Sequence, residues 1–182
     1  KYPLQIEFLI ALSNNSNYLT DILVRNPEYF HWIINPSVLE QKLDNKYLKD
    51  ILQKTVSPFK SFDSKVNAIR NFKRKEMLRI GLKDIYLKED LKNITLYLSS
   101  LANAISSILF ELCYKEILDK HNVEKTTRKY VLFALGKLGG NELNYSSDID
   151  LIAFYDKNSL VNKKIYYSQI LSETILLFIE TS

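Results

Sequence analysis

Two aspartates separated by one residue, Asp148-Ile149-Asp150, interrupt a run that is otherwise apolar. The segment 148–155 reads as a strand, so the two acids are expected on one side and Ile149 and Leu151 on the other. Carboxylates about 6–7 Å apart on one strand face repel each other unless a cation lies between them. Hard oxygen ligands in that arrangement suit Mg²⁺, which keeps several waters and bridges to phosphate oxygens. Upstream lies Gly136-Lys137-Leu138-Gly139-Gly140, which holds three of the chain's four glycines. A glycine turn after a strand lets backbone N–H groups approach a phosphate closely. Ser146 and Ser147 add hydroxyls beside the acids. Together these residues describe metal-assisted phosphoryl or nucleotidyl transfer, with Asp148 and Asp150 as metal-holding and catalytic groups. Taken singly, the glycine turn reads as a plain turn and the acid pair as a solvated strand end. The pattern is not a P-loop, and the glycines open no long helix as a dinucleotide fingerprint would.

The elements that must position these groups fall into two unlike parts. Residues 1–125 show helical periodicity, and residues 126–182 change to strand-like runs. Asn26-Pro27-Glu28 reads as a helix start, with Asn26 as the N-cap. A short helix is expected over 36–52 and a long one over 64–87. On the long helix Val66, Ile69, Phe72, Met77 and Ile80 share a face, and Glu76 and Asp84 fall on that same face. A carboxylate on an apolar stripe needs a partner or a task. Glu76 therefore predicts a buried ion pair to a neighbouring helix, a cleft in which Arg or Lys faces an anion, or a plain solvated charge run.

The helix expected over 91–120 carries a clean stripe of Ile94, Tyr97, Leu98, Leu101, Ile105 and Ile108. Its other face is small and uncharged, with Ser99, Ser100, Asn103, Ser106 and Ser107, which predicts packing on both sides. Tyr130 to Leu135 is a continuous apolar run, expected as a strand buried on both faces. A last helix is expected from about residue 161. The fold class that follows is α+β: a helical region and then two strands of a small sheet.

Composition narrows the function. The 182 residues are 46% hydrophobic and 25% charged, which suits a globular chain rather than a disordered one. Lys+Arg 25 against Asp+Glu 21 gives +4, too even a balance to point to nucleic acid. The longest uncharged stretch, 93–110, holds six serine, threonine and asparagine residues beyond its first and is a poor membrane span. The single cysteine, Cys113, adjoins the helix stripe and reads as core. One cysteine allows no internal disulfide and, with no signal peptide in view, predicts a cytoplasmic protein. His31 and His121 lie outside the motif and are given no role.

The run Leu135-Gly136-Lys137-Leu138-Gly139-Gly140-Asn141-Glu142-Leu143-Asn144-Tyr145-Ser146-Ser147-Asp148-Ile149-Asp150-Leu151-Ile152 resembles the signature of the bifunctional glutamine synthetase adenylyltransferase/adenylyl-removing enzymes. These belong to the DNA polymerase β-like nucleotidyltransferases. Arg74-Lys75-Glu76-Met77-Leu78-Arg79-Ile80 and Lys83-Asp84-Ile85 also resemble the family's long helix before the catalytic core. The likeness is strongest over 70–155 and thinner over 1–65. It implies the start of a polymerase β-like core over 126–182, with Asp148 and Asp150 on Mg²⁺. It implies phosphate or nucleotide held by Gly136, Lys137, Gly139, Gly140, Ser146 and Ser147.

The wording Glu-Leu-Asn-Tyr-Ser-Ser-Asp-Ile-Asp resembles the domain that removes AMP from a tyrosine of glutamine synthetase by phosphorolysis, releasing ADP. The other domain of the family adds AMP from ATP, and that reading stays open. A nucleotide-sensing module without catalysis, and a transferase acting on RNA or a small molecule, also stay open. Partners implied are glutamine synthetase, ATP or ADP, phosphate, and small nitrogen-signalling regulatory proteins. The sequence departs from the wider superfamily in placing Lys137 directly after the first glycine. The superfamily also needs a third carboxylate on a later strand, and none follows before Ser182. The resemblance therefore predicts a piece of a longer protein, with an incomplete sheet and little activity by itself.

Overall fold

The computed structural model describes residues 4–124, 126, 127, 129–162 and 164–182. The expected boundary residue between the two parts, Lys125, lies outside these. Nine helices and two strands are seen among the described residues, in the order α1 (Leu4–Asn15), α2 (Asn17–Arg25), α3 (Glu28–Ile33), α4 (Pro36–Glu40), α5 (Asn45–Val56), α6 (Phe62–Ile85), α7 (Leu91–Lys120), β1 (Tyr130–Ala134), α8 (Gly136–Gly139), β2 (Leu151–Tyr155) and α9 (Tyr167–Thr181). The fold is α+β, mostly helical, with one two-stranded antiparallel sheet.

Local chemistry sets most helix starts. Ser16, Asp44 and Ser61 each accept a hydrogen bond from an amide three residues on, at 3.2, 2.8 and 3.3 Å. Asp44 divides the helix expected over 36–52 into α4 and α5. The break buries Leu43 completely, and core packing there outweighs helical continuity. Asn26 is not the N-cap of α3. Its side-chain amide instead donates back to the Ile22 carbonyl and closes the end of α2.

α6 and α7, about 36 and 45 Å long at 1.5 Å per residue, form the frame. One core cluster joins α5, α6 and α7 through Leu48, Leu52, Phe72, Ile80, Leu98 and Leu101, and it also takes in Leu138 and Leu143. A second packs α1 to α4 on Leu78 and Leu82 of α6. Gly81 permits this approach: a Cβ there would meet Leu19 Cδ1 at 2.2 Å. A third cluster sets Ile170 and Leu171 of α9, with Tyr167, against Phe110 and Ile117 of α7. By length and mean hydropathy α7 could cross a membrane, but 67% of its most apolar window is buried inside this core. Cys113 lies there fully buried, and burial pushes its thiol up to about 11.

β1 and β2 pair from Tyr130↔Tyr155 to Ala134↔Leu151. Leu132, Ala134 and Leu151 face the helices. Val131, Phe133, Ile152 and Phe154 form an exposed outer face, with Phe133 and Phe154 edge to face at 5.7 Å. The expectation of a strand buried on both faces is thus corrected: helices cover one side only. The last helix also begins later than expected, at Tyr167, because Leu160 and Tyr166 pair in an antiparallel bridge just before it.

Candidate active site

The ladder fixes where the acids emerge. β2 begins at Leu151, not at Asp148, because β1 has no residue left to pair with them. The last rung is the Leu135 amide donating to the Asp150 carbonyl at 2.9 Å, after which Gly136 turns away at φ +55°. Asp148, Ile149 and Asp150 therefore form the lead-in to the strand, and both acids are solvent-exposed. The Asp150 carboxylate lies over the glycine turn, with Oδ2 3.6 Å from where a Gly136 Cβ would stand. Ile149 and Ser147 help line a cavity of about 450 Å³ whose wall also includes Arg70, Lys73, Met77 and Leu98. Neither acid lines it.

The glycine segment folds into the short helix α8, anchored by buried Leu138. The Gly139 amide donates to the Leu135 carbonyl and the Gly140 amide to the Gly136 carbonyl, both at 3.1 Å. Among the described residues, no backbone carbonyl accepts from the amides of Gly136 and Lys137 at the start of the turn. Two of these glycines answer to backbone geometry. Gly136 takes a left-handed conformation, and a Cβ on Gly139 would meet the Ala134 carbonyl oxygen at 2.6 Å. The Lys137 side chain is exposed beside them.

Ser146 and Ser147 are organised by Asn144, a residue to which the sequence reading gave no task. Asn144 Oδ1 accepts from the Ser146 amide at 3.1 Å, the Ser146 hydroxyl at 3.3 Å and the Ser147 hydroxyl at 2.6 Å. The signal was present, since asparagine two residues before a serine commonly closes a side-chain turn on that amide. The Leu143 amide donates to Ser99 Oγ at 3.0 Å, and the Tyr145 hydroxyl donates to Asp84 Oδ2 at 3.1 Å. The serine face of α7 and Asp84 thus hold the loop.

Glu76 is buried, as its place on the stripe required, but its partner is on its own helix. Arg79 donates to Glu76 Oε2 from Nε at 2.7 Å and from Nη2 as well. Both residues are 3% exposed. Burial pushes the Glu76 carboxyl up, and the Arg79 guanidinium opposes that shift. The guanidinium also stacks between Trp32 and Tyr47, at 5.3 and 5.7 Å from the ring centroids. Lys75 Nζ is 4.3 Å from the Trp32 centroid.

Chemically, the site combines two exposed carboxylates, a glycine turn with unused amides, and ordered hydroxyls. Among the described residues no group of three His, Cys, Asp or Glu is placed to hold a metal. Exposed carboxylate oxygens are hard donors, of the kind that would fit a divalent ion keeping water in most of its positions, such as Mg²⁺.

A family profile for glutamate-ammonia ligase adenylyltransferase matches residues 6–172. Similar proteins include the bifunctional glutamine synthetase adenylyltransferase/adenylyl-removing enzymes of Burkholderia mallei and Burkholderia pseudomallei. Each is 25% identical over 156 residues, covering 86% of this chain and 16% of the relative. The enzyme of the same name from Psychromonas ingrahamii is 26% identical over 185 aligned positions, covering 93% of this chain and 20% of the relative. The chain spans about a sixth to a fifth of the length of these relatives. The match runs through the long helices, the glycine turn and the acid pair, and the chain belongs to the glutamate-ammonia ligase adenylyltransferase family.

Proposed function

We propose that the chain carries part of a Mg²⁺-dependent nucleotidyltransferase site that removes AMP from an adenylylated tyrosine of glutamine synthetase by phosphorolysis. The observation that carries this reading is the Asp150 carboxylate set over the Gly136 turn, which brings an acid to a place suited to phosphate. Family membership and the activities named for the relatives support the substrate and the chemistry. The wording from Glu142 to Asp150 favours removal over addition of AMP.

In the reaction, an oxygen of inorganic phosphate attacks the AMP phosphorus and the bond from phosphorus to the tyrosyl oxygen breaks. ADP forms, and the released tyrosinate takes up a proton. Tyrosinate is an acceptable leaving group because its conjugate acid has a pKa of about 10. Asp148 and Asp150 would hold Mg²⁺, which supplies charge neutralisation on the phosphoryl oxygens. The unused amides of Gly136 and Lys137 donate to phosphate, while Gly139 and Gly140 shape the turn. Ser146 and Ser147 spend their hydroxyl protons on Asn144 Oδ1, so they would serve phosphate only by turning those protons towards it. Addition of AMP from ATP is a separate reaction, in which the tyrosyl oxygen attacks the α-phosphorus, the bond to the β-phosphate bridging oxygen breaks and pyrophosphate leaves.

The test uses the intact protein with adenylylated glutamine synthetase and measures phosphate-dependent release of ADP. Asp148→Ala and Asp150→Ala are each expected to abolish it. Release retained in either variant refutes the roles given to these acids. Incorporation of AMP from ATP without phosphate-dependent release would assign the chain to the adding half.

A further inference from the structure

The loop that carries Ser146, Ser147 and Asp148 is tied to the helical frame at two points. Deep in the core, the Leu143 amide donates to Ser99 Oγ at 3.0 Å. The Ser99 hydroxyl spends its own proton on the Thr95 carbonyl at 2.8 Å, so its oxygen is left oriented to accept. Nearer the surface, the Tyr145 hydroxyl donates to Asp84 Oδ2 at 3.1 Å.

The second tie has an unusual helical setting. Asp84 is the penultimate residue of α6, where the helix dipole and the free carbonyls disfavour an anion. A carboxylate placed there gains nothing from its own helix. Its hydrogen-bond partner is a tyrosine 61 residues away, three positions before Asp148. Between these two ties, Asn144 gathers the Ser146 and Ser147 hydroxyls. The loop is thus held before the acids by Leu143 and Tyr145, and after Asp148 by the rung from the Leu135 amide to the Asp150 carbonyl.

We propose that Asp84 is a positioning residue: through Tyr145 it latches the loop to α6 and so fixes the lead-in that carries Asp148 and Asp150. Asp84 touches neither substrate nor metal in this arrangement. The proposal rests on the reading of Asp148 and Asp150 as metal-holding acids.

The experiment compares the intact wild-type protein with Tyr145→Phe, Asp84→Ala, Asp84→Asn and the double variant Asp84→Ala/Tyr145→Phe. Two quantities are measured: hydrogen–deuterium exchange of the segment 144–150, and Mn²⁺ affinity by electron paramagnetic resonance. Losing one hydrogen bond to a charged group predicts about tenfold faster exchange and about tenfold weaker Mn²⁺ binding in Tyr145→Phe and Asp84→Ala. The double variant is expected to be no worse than either single one. Asp84→Asn keeps an acceptor oxygen and is expected to stay near wild type, which a purely charge-based role would not allow. Unchanged exchange in Tyr145→Phe overturns the latch. Faster exchange with unchanged Mn²⁺ affinity overturns its link to the acids. A wild-type protein that binds no Mn²⁺, whatever the exchange rates, removes the metal reading and the positioning role with it.

Discussion

Asp150 leans over Gly136: its carboxylate oxygen Oδ2 lies 3.6 Å from the point where a side chain on that glycine would begin. Strand and turn therefore meet at one small space, and the residue type at 136 decides how open that space is.

Three glycine substitutions are expected to rank by what each added methyl meets. Gly140→Ala has nothing closer than 3.7 Å and is expected to be tolerated. Gly136→Ala meets Asp150 at ordinary contact distance but must hold φ +55°, at a cost of about 1–2 kcal/mol. Gly139→Ala would place Cβ 2.6 Å from a backbone oxygen, so β1 or α8 must shift, and the loss should be the largest. Urea unfolding midpoints of the three variants check the order. Gly136→Ala stable but Gly139→Ala unfolded would also fit it, whereas an unaffected Gly139→Ala would not.

The Glu76–Arg79 pair is expected to be costly to break and cheap to replace. Removing either partner leaves a charge in a site 3% exposed, for a loss of about 3–5 kcal/mol. Glu76→Leu/Arg79→Met, which removes both charges at similar volume, should recover most of that loss. Chemical denaturation followed by circular dichroism measures it. A single variant within about 0.5 kcal/mol of wild type would show that the pair is not desolvated in solution.

Glu173 on α9 supplies a pH-dependent contribution. It accepts from Lys120 Nζ at 2.9 Å and faces His121 Nε2 at 3.0 Å. These hydrogen bonds, Lys120 first, hold its carboxyl down at about 2 against an ordinary 4.5. A carboxylate depressed in the folded state stabilises above its unfolded value, and that stability is lost as pH falls from 4.5 towards 2. Lys120 is well exposed, so the effect should be no more than about 1 kcal/mol. Glu173→Gln is expected to be less stable than wild type at pH 7 and equal to it near pH 2. A gap that persists at low pH would point to packing rather than charge.

Much of the frame was legible in the sequence because it is written in local periodicity. The apolar stripe from Ile94 to Ile108 placed α7 between Leu91 and Lys120, as found. The change of period after residue 129 placed both strands. What local pattern does not record is where pairing stops and what covers the far side. Asp148 and Ile149 look like strand, yet β1 has turned off at Gly136 before it can meet them. Val131 and Phe133 look like core, yet both are exposed on the outer face of the sheet. The division of α4 from α5 was hidden because Leu43, in the break, is as apolar as any helix residue.

The candidate site was legible by residue type but not by contact. The acids, glycines and serines stand out by type and spacing, and of these the structure sets Asp150 beside Gly136. The roles of Asn144 and Tyr145 depended on hydrogen bonds of different reach. Asn144 acts on its own turn and could have been read locally, whereas Tyr145 reaches Asp84 across 61 positions. Glu76 was rightly suspected of a buried partner, but a basic residue three positions on was nearer than any neighbouring helix.

The chain has one tryptophan, and Trp32 lies beneath the cations of Lys75 and Arg79 where α3 meets α6. Its fluorescence therefore belongs to the helical frame alone, and a shift in its emission marks α3 leaving α6. Tyrosine emission does not divide the molecule in the same way, because seven of the twelve tyrosines lie in the helical part. A single native fluorophore therefore reports on one junction of the protein, without a label.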